Sequence, residues 1–220
     1  MRTTKPLKGL LLYFWYSTGG KLTILFLQTI AWGIAFLLFG ERDWGLILHF
    51  FFGMNALMGV ALVVVMGMGS KEVDWERFQL SMPVRRRNMA SSQFISVGLA
   101  AVVGIPIFVL FTGLSAAWHE GAYFTFLSVF SSMAPFLSMP FVLGGLLFPI
   151  YSIKAVERIY DGMFPAIMVV AMLVPVGINL GATRLGWPEA VASLLTLVVS
   201  LLIFVISYFI TRKLYEKMDF

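Results

Sequence analysis

Long apolar runs alternate with short polar interruptions along this chain, at a spacing far coarser than the periodicity of a soluble fold. Runs rich in Leu, Ile, Val, Phe and Met cover roughly residues 22–39, 46–68, 94–118, 124–149, 164–182 and 190–210. A hydrocarbon core of ~30 Å takes about 20 helical residues to cross, and each run is close to that length. A membrane barrel would show ~10-residue segments of alternating apolar and polar positions instead, and no such alternation occurs. The pattern predicts an all-α, polytopic membrane protein with six transmembrane helices.

The interruptions predict how those helices connect. Glu41–Trp44 and His119–Gly121 read as tight turns after the first and third spans, and Thr183–Glu189 as a brief loop between the fifth and sixth. Pro135 and Pro140 fall inside the fourth span and Pro175 near the middle of the fifth. Proline removes a backbone donor and clashes with the preceding turn, so the fourth helix is expected to be kinked or broken. Ahead of the first span, Leu7, Leu10, Leu11 and Phe14 recur at helical spacing beside Lys5 and Lys8, with Tyr13, Trp15 and Tyr16 suited to the headgroup level. Residues 1–20 therefore read as an amphipathic helix lying in the membrane interface. Bulky aromatics and a missing small-residue cleavage site argue against a removed signal peptide.

Two polar segments remain, residues 70–93 and 151–162. The first, SKEVDWERFQLSMPVRRRNMASSQ, concentrates eight of the 27 charged residues in a chain that is 60% hydrophobic and 12% charged. With both termini and both polar segments on the cytoplasmic side, 14 of the 16 basic residues lie inside and only Arg42 and Arg184 lie outside. That is the distribution the positive-inside rule requires, and an odd number of spans would destroy it. The net charge of +5 is thus explained by topology, with no nucleic-acid partner implied. Cysteine is absent, which excludes disulfides and thiolate metal sites.

Within the first segment, Asp74–Leu80 forms a short amphipathic pattern with Trp75, Phe78 and Met82 on one face and acids in the first turn, until Pro83 ends it. Val84–Arg87 opens the next helix. Lipid contact and topology account for Arg85, Arg86 and Arg87 as well as a partner contact does. An apolar face on a polar loop calls for a partner surface or the membrane interface.

Catalytic chemistry finds little support. His49 and His119 are the only histidines, without metal-ligand spacing, and read as interfacial. Glu41, Asp43, Glu120 and Glu189 fall at loops or helix ends, so no span centre carries the ionisable group common in ion-coupled carriers. Gln28, Asn55, Thr112, Ser128, Ser131, Ser132, Ser138, Thr196 and Ser200 are the polar groups at depth, expected to serve helix packing. Gln28 and Asn55, with Met54 and Met58 on the second helix, are candidates for lining a path. Met133, Met139, Met168 and Met172 add flexible apolar surface, and Gly177-x-x-x-Gly181 is expected to serve packing within the chain. A weakly polar lining favours hydrophobic or amphipathic cargo. The nearest string to a phosphate-binding loop, WYSTGGKL at residues 15–22, has Trp in place of the first Gly and Leu in place of the magnesium-binding hydroxyl.

The string WERFQLSMPVRRRNMASSQF resembles the W-x-x-[YF]-x-x-S-[LM]-P-[VI]-x-[RK]-x-x-[IVM] pattern of permease subunits in type 2 ATP-binding-cassette transporters. It matches at Trp75, Phe78, Ser81, Met82, Pro83, Val84, Arg86 and Met89, between the second and third spans as in that family. FPIYSIKAVERI, after the proline-interrupted fourth span, resembles the family's second cytoplasmic loop. In length the chain is similar to small peptide exporters of Gram-positive bacteria, such as those for phenol-soluble modulins. The resemblance implies a single permease domain over residues 1–220, in a bacterial cytoplasmic membrane. It also implies a dimer with an identical or paralogous permease, and separate ATPase subunits that hold ATP and Mg²⁺. Those ATPases would dock on Trp75, Glu76, Arg77, Phe78, Leu80, Met82, Pro83, Arg85, Arg86 and Arg87, and on Lys154 and Arg158 of the second segment. The rival expectation is a non-transporting scaffold or immunity-type protein that sequesters a partner. Protease mapping of intact cells is expected to leave residues 70–93 protected until the cytoplasmic face is opened.

Overall fold

A chain denied water must satisfy its backbone groups internally, and in hydrocarbon a single segment does so as a helix. The computed structural model describes residues 5–39, 45–59, 86–118, 125–152 and 160–217, and these are helical almost throughout, with no strand among them. In chain order the helices are α1 (Lys5–Phe39), α2 (Gly45–Gly53, continued by a π-helical stretch Met54–Gly59), α3 (Arg86–Trp118), α4 (Phe126–Tyr151), α5 (Tyr160–Arg184) and α6 (Glu189–Lys217). Four described stretches are long and apolar enough to cross a membrane: Ala90–Ser115, Phe126–Ile150, Met163–Arg184 and Glu189–Lys217. Thr23–Phe39 and Ile47–Gly59 are shorter apolar helices. Even 22 residues rise ~33 Å, enough for the ~30 Å core.

The backbone of α1 runs unbroken through Gly19 and Gly20 for 35 residues. The interfacial helix and the first span, expected as separate elements, are thus joined without a helical break. Each glycine weakens a helix by about 1 kcal/mol, less than proline would, and no proline follows to end the helix.

Facing pairs give the packing order. Phe36 meets His49 and Phe52, Phe52 stacks on Phe108, Phe108 meets Phe136, and Phe94 meets Phe148. Helices α1 to α4 are therefore successively antiparallel. Gly145 lies against Ile203 and Ser131 against Ser193, so α6 runs parallel to α4. In α4 72% of the apolar stretch is buried, against 17% in α5; α4 is the central helix and α5 a peripheral one.

The central helix carries Pro135, Pro140 and Pro149, yet its helical assignment is continuous. Proline at 135 leaves the Ser131 carbonyl without its intrahelical donor. Ser193 Oγ of α6 donates to that carbonyl at 3.2 Å, and Asn179 Nδ2 of α5 donates to Ser193 Oγ at 3.0 Å. Of the kink or break expected from the prolines, the break does not occur, and at Pro135 a neighbouring helix supplies a replacement donor. Pro106 also lies inside α3, and Pro165 and Pro175 inside α5, without interrupting either helix. At the start of α4, Thr125 and Ser128 form a reciprocal capping box, each backbone N–H meeting the other's hydroxyl at 3.2 Å. Ser128, expected at depth, serves a helix end instead.

The π-helical stretch Met54–Gly59 replaces the α-helix expected there. Asn55 Nδ2 donates to the Phe51 carbonyl at 2.9 Å, competing for the acceptor that its own N–H would take in an α-helix. On the facing helix, a Cβ at Gly104 would overlap the Ala56 carbonyl oxygen, so α2 and α3 approach backbone to backbone. Gly177 and Gly181, in contrast, have nothing within 4 Å of where a Cβ would stand. The packing role expected for that pair within the chain is therefore not found, because this face of α5 is turned away from the bundle. The α5–α6 turn closes on Gly186 at φ 82°, with Gly186 N–H on the Thr183 carbonyl at 3.0 Å and Trp187 N–H on that of Ala182 at 3.2 Å. A left-handed residue at this position favours glycine.

Removing the Ser193 hydroxyl strips the Ser131 carbonyl of its replacement donor. Ser193→Ala is expected to destabilise the protein by about 1–2 kcal/mol. Most of this loss should vanish in Pro135→Ala/Ser193→Ala, where residue 135 recovers its own N–H. Unfolding in mixed micelles, run as a double-mutant cycle, measures both values.

Candidate functional site

The second polar segment follows α4 and the first precedes α3, so the helix ends nearest to them are where a load applied to either would enter the bundle. Phe94, two turns into α3, sits at the meeting point of those ends. Its ring centroid lies 4.8 Å from that of Phe148, one turn before the end of α4. It also lies 4.8 Å from Phe204 and 5.4 Å from Tyr208 of α6, the latter edge-on. Aromatic rings at 4.5–7 Å in tilted or edge arrangements gain about 0.5–1.5 kcal/mol beyond simple burial. Phe94 and Phe148 are both buried. The end of α3 that follows the first polar segment and the end of α4 that precedes the second thus meet in one aromatic cluster.

Hydrogen bonds reinforce it. Ser91 Oγ of α3 pairs with Tyr208 Oη at 3.0 Å, and Gln93 Nε2 donates to Tyr215 Oη at 3.1 Å. Phe204, Tyr208, Thr211 and Tyr215 recur at spacings of three or four and so form one stripe of α6. Gln93 and Thr211 are buried in this seam. Ser152, in the turn after α4, closes the other arm with its N–H and hydroxyl both on the Phe148 carbonyl, at 3.1 and 2.8 Å. Arg212 and Glu216 pair at 3.1 Å on the exposed side of the same end of α6.

Of the residues assigned from the sequence to partner docking, Trp75, Glu76, Arg77, Phe78, Leu80, Met82, Pro83 and Arg85 lie outside the described residues, as do Lys154 and Arg158. Arg86 and Arg87 form the first turn of α3. The candidate path residues do not share one surface. Gln28 is exposed on α1, Met54 and Asn55 are half-buried, and Met58 is fully enclosed in the core. The Asn55 amide is held by its own helix. Ser132, Ser138, Thr196 and Ser200 also bond carbonyls of their own helices, at 2.7–2.9 Å, and do not bridge between helices. The interhelical bonds fall instead to Ser91, Gln93, Asn179, Ser193, Tyr208 and Tyr215. Their signal in the sequence was weak, since a Ser or Tyr near a span end reads as an interfacial group.

His49, near the start of α2, packs its ring against neighbouring aromatics. Its ring lies 5.2 Å from Phe36, 5.6 Å from Phe108 and 5.8 Å from Phe136, enclosed by aromatics of three other helices. The described residues hold no group of three His, Cys, Asp or Glu able to bind a metal ion. What this arrangement offers is packing: an apolar bundle in which the start of α3, the end of α4 and the last turns of α6 meet at one aromatic junction.

A family profile described as ABC-2 family transporter protein matches residues 11–216. Comparison with curated proteins and with solved structures finds no match for the chain.

Truncating the junction ring isolates its contribution. Phe94→Ala is expected to cost roughly 3 kcal/mol, as for other buried phenylalanines. Phe126→Ala, at a site 85% exposed, should change stability by less than about 0.5 kcal/mol. Unfolding of the two variants in detergent micelles gives the comparison.

Proposed function

This chain belongs to the ABC-2 family of transporter proteins, and we propose on that premise that it is the path-forming subunit of an exporter for hydrophobic or amphipathic substrates, peptides among them. Membership makes it a membrane-spanning transporter component that works with an ATPase. The further particulars are our reading. Six helices cross a bacterial cytoplasmic membrane with both termini inside. Two copies, or one copy and a paralogue, form the path, and the chain as a whole is one permease domain. ATPase subunits, which hold the ATP and Mg²⁺, dock on residues 70–93 through Trp75, Phe78 and the charges around them, and on residues 151–162 through Lys154 and Arg158.

The single observation that carries this reading is the junction at Phe94. Helices that merely anchored a scaffold would have no need to gather the ends of both polar connections into one cluster. A machine driven by a companion enzyme does, because two contacts moved by one ATPase must act on the bundle together. The apolar character of the described helices supports the cargo class, for no charged side chain stands mid-helix in α1 beyond Lys21, nor in α2, α4 or α6. A second subunit accounts for α5, whose face at Gly177 and Gly181 is left uncovered by this chain.

Trp75→Ala and Phe78→Ala are expected to weaken ATPase binding by at least about 30-fold each, the size of an aromatic hot spot. Charge reversal at Glu76 and Arg77 should act in the same direction, and membrane insertion should be unaffected. Co-purification and titration of the ATPase against the chain in nanodiscs measure this. Retention of full affinity by all these variants removes the docking role.

A further inference from the structure

The seam between α3 and α6 contains two polar atoms that its hydrogen bonds do not serve. Gln93 Oε1 and Thr211 Oγ1 are both buried without a hydrogen-bond partner. Gln93 is 7% exposed and Thr211 fully enclosed. An unmade bond at a buried polar group carries the full cost of taking that group out of water, so a seam built only to hold two helices together would replace both with apolar side chains. The pair is chemically complementary, an amide oxygen that accepts and a hydroxyl that donates. It is also close in register. Thr211 lies one turn before Tyr215, whose hydroxyl already holds the Gln93 amide nitrogen, and a helical side chain covers the turn on the N-terminal side of its own Cα.

We propose that Gln93 is a positioning residue for transport, tying the start of α3 to α6 so that displacement of residues 70–93 moves α6 as well. In the described state its amide nitrogen is held by Tyr215. When α3 advances along the seam, its amide oxygen takes the Thr211 hydroxyl, so the two atoms left unserved in the described state serve each other. The C-terminal helix thereby becomes a driven element: it meets Phe141 through Phe204 and lies along the central helix α4. This inference rests on the reading that an ATPase acts at residues 70–93.

The absence of native cysteine makes the test clean. Ile95→Cys on α3 and Ile210→Cys on α6, 39% and 46% exposed, each take one environment-sensitive fluorophore in the full chain reconstituted with its ATPase in nanodiscs. Addition of ATP is expected to change the signal at both positions. In Gln93→Leu and in Tyr215→Phe, the response at position 95 should persist while that at 210 falls about fivefold, the equilibrium value of one ordinary hydrogen bond. The double variant should lose no more than either single one. Thr211→Val, which leaves the Tyr215 bond in place, should also depress the response at 210. A full response at 210 in Gln93→Leu and Tyr215→Phe overturns the inference, as does a wild-type complex that responds at 95 alone. Silence at both labels in the wild-type complex overturns the docking reading and this inference with it. The retained signal at 95 shows that the variants are folded and assembled.

Discussion

The constraint on which this structure depends is that a polar group in hydrocarbon must find its partner within the protein. Backbone groups meet it by forming helices, and hydroxyls such as those of Thr29, Ser138, Thr196 and Ser200 meet it by bonding the carbonyl one turn back. The constraint becomes informative where the helix cannot meet it alone. At Pro135 the carbonyl of Ser131 is freed, and its new donor comes from α6 through a hydroxyl that α5 holds in turn. A local defect in one helix thereby becomes a bond among three. In hydrocarbon, where apolar association gains little over lipid, such bonds and close packing supply the specificity that burial supplies in water.

Close packing supplies the rest. Aromatic rings of α1, α2, α3 and α4 interlock around Phe52, Phe108 and Phe136, with His49 among them. The missing side chain of Gly104 allows the Ala56 carbonyl to approach its helix backbone. This contact lies within the π-helical stretch, a geometry that is rare and frequent at functional positions. The helix carrying it leads, in sequence, into the polar island. At this contact between α2 and α3 the bundle is tightly fitted, so that a shift of one helix is not absorbed by soft packing.

At the end of the bundle where α3 begins, the same two kinds of interaction meet. Phe94 supplies the ring contacts and Ser91 and Gln93 the hydrogen bonds, all directed to α4 or α6. The unpartnered oxygens of Gln93 and Thr211 set this seam apart from the relay at Ser193, where each hydroxyl and amide nitrogen in the chain of bonds is engaged. One is an arrangement with every bond made, the other an arrangement with bonds held in reserve. Under the proposed coupling, that contrast separates the part of the molecule that holds its shape from the part that moves.

The all-helical class and, among the described residues, the approximate positions of the helices were legible in the order of residues. Each follows from a local rule: an apolar run of sufficient length must form a helix in a bilayer, whatever its neighbours do. The family was legible too, because Trp75 to Met89 forms a contiguous string. What only the tertiary structure decided is how those helices use one another. Pro135 frees a carbonyl that Ser193 serves from 58 residues away. Gly177 and Gly181 have the spacing of a packing motif and face away from the bundle. Met58 is enclosed by its neighbours, and the ring of His49 meets aromatics of three other helices. Whether a donor, a small residue or a ring meets a partner depends on which face of which helix lies opposite, and in a chain apolar on nearly every face the sequence carries no periodicity that could reveal it.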